Sequence, residues 1–153
     1  MLHIIVNPAS KSGLGKEKWE LLKRELNKHS IVYQVYFTKK KTGAAGCVSA
    51  ILETLSKSAT DNSSTRADKH LICVLGGDGT MNEVTNALYL TKPNADKEFA
   101  LAYLPTGSSN DLARDMGISR NPEEALEAIL KAEKEVYMDM GLVHYDEAFL
   151  DGK

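Results

Sequence analysis

A chain of 153 residues with 42% hydrophobic and 26% charged side chains has the composition of one globular domain. Its apolar runs fall far short of the roughly 18 residues that a membrane span needs. A formal net charge of −2 argues against a nucleic-acid partner, which calls for a basic face.

Leu2 to Val6 is an apolar run closed by Asn7-Pro8, which predicts a buried strand ending in a turn. From Lys16 to Lys28, Trp19, Leu22 and Leu26 recur at helical spacing with charged residues between them. Ile31 to Phe37 is rich in β-branched and aromatic residues and predicts a second strand. Val48, Ile51, Leu52 and Leu55 place a helix over 44–57, and the polar stretch SKSATDNSSTRADK reads as a loop. Leu71 to Leu75 is a third strand and Asn82 to Leu90 a third helix, while Ala100 to Leu104 is a fourth strand followed by the loop PTGSSND. Asn121-Pro122-Glu123-Glu124 combines a cap, a first-turn proline and two acids, so a helix starts there and runs to about Glu133.

Strands that are apolar on both faces, separated by amphipathic helices, predict an α/β fold: a doubly wound, mostly parallel sheet with helices on both faces. Val136–Met140, Leu142–His144 and Ala148–Leu150 read instead as short strands opening an antiparallel β region. The expected division is a domain over 1–140 and, from 141 to 153, the beginning of a second domain. Unpaired strand edges at that end predict a possible homodimer.

In open parallel sheets, ligands sit at the carboxyl ends of the strands. GGDGT follows the third strand and PTGSSND the fourth, so both loops belong to one edge. Gly76, Gly77 and Gly79 let the backbone approach a ligand, and N–H groups at a helix start favour an anion, phosphate above all. Thr80 and Asn82 add a hydroxyl and an amide. Asp78 would repel phosphate unless it holds a cation, accepts a proton or orients a donor, which points to phosphoryl transfer over passive anion capture. Ser108, Ser109, Asn110 and Asp111 are four polar residues after Gly107, more than one cap requires, and Asn7, Ser10, Lys11, Gly13, Gly15 and Lys16 form a third cluster after the first strand. GLGK is not a P-loop, because Lys16 precedes Glu17, and no G-x-G-x-x-G follows the first strand. Lys39, Lys40 and Lys41 read as a solvated turn, with the same site or an anionic membrane surface as the alternatives.

Cys47 and Cys73 lack CxxC spacing and read as small buried hydrophobes. His3, His29, His70 and His144 lack metal-ligand spacing and receive no role. MLHIIVNPAS shows no secretory signal, so the expected location is cytoplasmic.

GGDGTMNEVTN, PTGSSNDLAR, an opening VNPASKSG and a late YMDMG, in that order, resemble the diacylglycerol kinase catalytic domain shared by diacylglycerol, sphingosine and ceramide kinases and bacterial relatives. GGDGT alone is shared with NAD kinases and phosphofructokinases; Asn82-Glu83-Val84 and Asn110-Asp111 are specific to the lipid-kinase branch. The resemblance implies a nucleotide-binding domain followed by a β-sandwich lipid-binding domain, with ATP and Mg2+ in the cleft between them. It carries nucleotide contacts onto Asn7, Ser10, Lys11, Thr38, Gly76, Gly77, Asp78, Gly79, Thr80, Asn82, Glu83, Ser108 and Asn110. Serine at 108 departs from the family's usual threonine. Asp78, Asp111 and Asp139 match the acidic positions that line its cleft and are implied as catalytic groups, Mg2+-linked or orienting, with Asp78 and Asp111 as the metal ligands. The general base and the lipid contacts are implied to lie in the second domain, leaving this fragment incomplete for catalysis and the whole protein peripheral to the inner face of the membrane. The alternatives are a kinase of the same superfamily acting on NAD or a soluble polyol, and a non-catalytic nucleotide-sensing module.

Overall fold

The computed structural model describes residues 1–58, 69–92 and 95–143. In chain order its elements are β1 (Leu2–Val6), α1 (Ser10–Lys28), β2 (Tyr33–Phe37), α2 (Gly43–Ser58), β3 (His70–Gly76), α3 (Asp78–Thr91), α4 (Ala95–Glu98), β4 (Phe99–Pro105), α5 (Asp111–Asp115) and α6 (Pro122–Leu130). The strands form one sheet in the order β2-β1-β3-β4, with every neighbouring pair parallel. Each predicted strand up to Leu104 is present: β1 at its expected bounds, β2 shorter by two residues at its start, and β3 and β4 longer by one residue at each end.

Alternation along the strands divides the core. Leu2, Ile4 and Val6 of β1, with Cys73, Leu75 and Leu104, face Trp19, Leu22 and Leu26 of α1 and Ala125 and Leu126 of α6. Ile5, Ile72, Val74 and Phe99 face Val48 and Ile51 of α2 and Val84 and Leu88 of α3 on the other side. Both faces of the sheet are thus covered, as the double-sided apolar strands require. Burial of each large side chain stabilises the fold by about 1.5–3 kcal/mol. Trp19 adds edge-to-face contacts with Tyr33 and Phe37, each with ring centroids 5.9 Å apart.

The connection from β1 runs outward to β2, whereas that from β3 runs the opposite way to β4. The topological switch point therefore lies between β1 and β3, where ligands bind in sheets of this kind.

Several elements differ from the sequence expectation. α3 starts at Asp78, not Asn82, because Gly77 takes an extended conformation and its carbonyl accepts from Met81 N–H, so the helix begins inside the glycine motif. The α1 span opens at Ser10, but Lys11, Ser12 and Gly13 have φ of 46°, 58° and 102° and are not helical, so regular helix resumes beyond Gly13, close to the expected start. α4 and α5 are too short for a periodic signal to reveal. α6 begins as predicted, with Asn121 Oδ1 accepting from Glu123 N–H at 3.0 Å, but ends at Leu130. Residues 132–143 carry no strand. The expected strand at Val136–Met140 and the start of the next at Leu142 are therefore absent as paired structure, and Val136, Tyr137, Met138, Met140, Leu142 and Val143 are exposed. An extended segment becomes a strand only when a partner meets its backbone groups. His144 and Ala148–Leu150 lie outside the described residues, as do positions 59–68 of the expected polar loop, whose first residues belong to the end of α2.

Both cysteines are buried free thiols, as expected, and burial pushes the Cys73 pKa up to about 12. His3 is fully buried beside His70, with ring centroids 5.6 Å apart. No described helix is long and apolar enough to cross a membrane.

Candidate functional site

Three loops leave the sheet at one level. Thr38 N–H donates to Val6 O (2.9 Å), Asn7 N–H to Leu75 O (2.9 Å) and Thr106 N–H to Gly76 O (2.8 Å), each extending the ladder one step past a strand end. The loops that follow β1, β3 and β4 are then stitched together. Asn7 Nδ2 donates to Thr80 Oγ1 across the switch point at 2.9 Å. Ser10 Oγ and Thr106 Oγ1 share a hydrogen bond of 2.8 Å that spans β3. The β3 and β4 loops meet glycine against glycine: a Cβ on Gly107 would lie 2.6 Å from Gly77 Cα, and one on Gly77 would lie 3.1 Å from Gly107 Cα. A Cβ on Gly76 would meet the Thr80 side chain at 2.7 Å. Packing therefore accounts for glycine at 76, 77 and 107.

Gly79 is different. It lies in the first turn of α3, is exposed, lacks the left-handed backbone that calls for glycine, and a Cβ there would meet nothing within 4 Å. Glycine weakens a helix relative to alanine by about 0.5–1 kcal/mol, yet no neighbour requires it. The space it leaves open stands over the N-terminus of a 14-residue helix that no side chain caps. The partial positive charge and free N–H groups of such a terminus suit an anion.

Asp78 supplies the link to β4 and α5. Its Oδ2 accepts from Asp111 N–H (3.0 Å), and its Oδ1 accepts from Leu112 N–H (3.4 Å) and the Tyr103 hydroxyl (3.2 Å). Asp78 thereby caps α5, and of the roles open to it from sequence, orienting donors is the one it performs in the structure. Asn110, at φ 51°, is buried and turned onto its own loop: Oδ1 accepts from Gly107 N–H (2.8 Å) and Nδ2 donates to Gly107 O (3.0 Å). Asp111 points outward and pairs with Arg114 at 2.9 Å. Arg120 Nη2 steadies the loop by donating to Ser109 O at 3.0 Å.

The residues singled out from sequence thus separate into two groups. Asn7, Ser10, Thr80, Asn110 and Glu83 have their polar atoms engaged within the protein. Glu83, placed with the nucleotide contacts from sequence, instead accepts Ala44 N–H at 2.7 Å and caps α2. Lys11, Gly79, Asn82, Ser108 and Asp111 are exposed along the same edge, and Thr38 is half-buried at its β2 end. Asp139 is exposed in the segment after α6, and its neighbour Met138 reaches the site. There a cleft of about 300 Å³ is lined by Asp78, Met81, Asn82, Thr85, Asp111, Leu112 and Met138. Tyr103 and Thr106 were missed because each reads as part of a strand or turn. The available signal was a tyrosine inside an otherwise apolar strand, since a buried phenol needs a partner for its hydroxyl.

No cluster of three or more histidine, cysteine, aspartate or glutamate side chains suited to a metal occurs among the described residues. Asp78 and Asp111 nevertheless line one cleft. Mg2+ is commonly held by one or two carboxylates together with substrate phosphates, so this donor set fits the ion with a nucleotide present and not alone.

Residues 1–143 match the diacylglycerol kinase catalytic domain family. Over 76 residues the chain is 40% identical to a protein named "Probable lipid kinase YegS-like" from Yersinia pestis (strain Pestoides F), covering 50% of this chain and 25% of that one. A protein of the same name from Shewanella frigidimarina is 41% identical over 56 residues, 37% of this chain and 18% of that one. The crystal structure of a diacylglycerol kinase from Bacillus anthracis str. Sterne matches with a TM-score of 0.59 at 26% identity, over 85% of this chain and 39% of that one. The chain therefore spans well under half the length of the relatives it matches.

Proposed function

Because this chain belongs to the diacylglycerol kinase catalytic domain family, we propose that it is the nucleotide-binding part of a lipid kinase, which transfers the γ-phosphoryl group of ATP to the hydroxyl of a diacylglycerol-like or sphingoid lipid. The observation that carries the reading is Gly79: a glycine that the fold does not need, holding space open above an uncapped helix N-terminus. The phosphates of ATP sit there, on the first N–H groups of α3. Gly76, Gly77 and Gly107 bring the two loops close enough to form a rigid floor, and the Asn7–Thr80 and Ser10–Thr106 bonds hold that floor to β1. Preorganised donors of this kind need no rearrangement as charge shifts during phosphoryl transfer. Asp78 and Asp111 would hold Mg2+, which would supply charge neutralisation on the phosphates. A second, lipid-binding domain contributes the acceptor lipid and the base that takes its proton, so these residues alone bind nucleotide weakly and turn over little. The protein works in the cytoplasm at the inner face of the membrane.

Calorimetric titration with ATP, ADP and AMP, each with and without Mg2+, tests this reading. Affinity should rise with phosphate number and, for ATP, with Mg2+. Equal affinity for all three nucleotides would refute a phosphate-centred site, and so would an absence of binding both to this chain and to a protein extended by the second domain.

A further inference from the structure

Tyr103 lies in β4 opposite Val74 of β3, and alternation with Leu104 puts it on the α3 side of the sheet. It is only 3% exposed. Its hydroxyl lies 3.2 Å from two acceptors, Asp78 Oδ1 and Asn110 Oδ1. A phenol has one proton to donate. The Asn110 oxygen already accepts from Gly107 N–H at 2.8 Å, and a carboxylate is the stronger acceptor. The Tyr103 proton therefore belongs to Asp78.

The remaining donors to that carboxylate, Asp111 N–H and Leu112 N–H, both come from the start of α5. Without Tyr103, Asp78 would be held only by a five-residue helix. With it, the carboxylate is also pinned to the sheet, since β4 pairs with β3 along its whole length. Burial first, and then the Asp78 carboxylate, push the Tyr103 pKa up.

We propose that Tyr103 is a positioning residue: its phenol fixes the Asp78 carboxylate against the sheet, so that Asp78 keeps one place in the cleft it lines with Asp111, where a phosphate-bound divalent cation would bind. The proposal rests on the kinase reading for its cation. Tyr103 does not touch substrate. It acts through Asp78, and removal of its hydroxyl leaves the aromatic core contact in place.

The test is a double-mutant cycle on Tyr103→Phe and Asp78→Asn, read by titration with ATP in the presence and absence of Mg2+ and by amide hydrogen exchange at Asp111 and Leu112. Tyr103→Phe should weaken Mg2+-dependent ATP binding by about 5- to 20-fold, leave Mg2+-free binding unchanged, and have no further effect once Asp78 is asparagine. Exchange at Asp111 and Leu112 should quicken in Tyr103→Phe even without nucleotide. Equal losses with and without Mg2+, or the same loss in the Asp78→Asn background, would overturn the proposal. Unchanged exchange at both amides would also overturn it. Absence of nucleotide binding both to this chain and to a protein extended by the second domain, combined with quickened exchange in Tyr103→Phe, would instead refute the kinase reading and leave the Tyr103–Asp78 link standing.

Discussion

Replacement of Gly79 by alanine should move stability and nucleotide affinity in opposite directions. The added methyl meets nothing within 4 Å, and the backbone there is not in the left-handed region, so the folded state accepts it without strain. The unfolded chain loses freedom, and a helical position gains a better helix former. Both effects stabilise, together by about 0.5–1 kcal/mol, which in a domain of this size raises Tm by about 1–4 °C. At the ligand the sign reverses. The methyl occupies the approach to the first N–H groups of α3, and loss of one charge-assisted hydrogen bond to phosphate costs about 1.5–3 kcal/mol, or about 10- to 150-fold in Kd. Thermal unfolding and calorimetric titration with Mg2+ and ATP on the same preparation measure both quantities. A variant that is more stable yet binds ATP as tightly as wild type would refute the argument, because the open space would then have no ligand to serve. A variant that is less stable would show that glycine at 79 is a structural requirement after all.

Gly107→Ala should behave in the contrary way: its Cβ would lie 2.6 Å from Gly77 Cα and 2.7 Å from Asn110 Oδ1, and the resulting overpacking should lower stability by about 1–3 kcal/mol, seen as a reduced urea midpoint. Glu83→Ala should lower stability by about 0.5–2 kcal/mol through loss of the α2 cap at Ala44, whereas Glu83→Gln, which keeps an accepting oxygen, should recover most of it in the same thermal scan. His3 has its pKa lowered to about 4, first by burial and then by the charges of His70 and the N-terminus. The unfolded state takes up its proton near pH 6.5 and the folded state only near pH 4, so stability is complete above about pH 6.5 and falls as the pH drops toward 4, by at most about 3 kcal/mol. Denaturant titrations across that range should show the slope in wild type and a flatter profile in His3→Phe, which also removes two ring nitrogens buried without partners.

The sheet was legible because its strands are apolar on both faces and its principal helices carry Trp19, Leu22 and Leu26 or Val48, Ile51 and Leu55 at helical spacing. The location of the site was legible for a topological reason, since loops after parallel strands share one edge. What each polar residue does there was not. Asn110 and Glu83 are the same residue types whether they hold a ligand or a loop, and only the direction of the side chain separates the two; here both turn inward. α5 escaped notice because five residues give no period, and its start depends on a left-handed Asn110 and on a carboxylate 33 positions earlier in the chain. The expected strands after α6 rested on composition alone, and composition cannot supply a hydrogen-bonding neighbour.

The edge of the sheet is electrically divided. Lys11 follows β1, and Lys39, Lys40 and Lys41 follow β2; Asp78 follows β3, and Asp111 and Asp115, both paired with Arg114, follow β4. The N-terminus of α3 lies beside the switch point between these halves. An anion placed there has lysine-bearing loops on one flank, which attract it directly, and carboxylates on the other, which repel it unless a cation intervenes. A bare phosphate would be drawn toward β1 and β2. A metal-bound polyphosphate would satisfy both flanks at once, with one end toward the lysines and the cation toward Asp78 and Asp111. Asp78 caps α5, yet a carboxylate beside an open helix terminus repels a bare anion, so its position there favours a ligand that brings its own divalent ion.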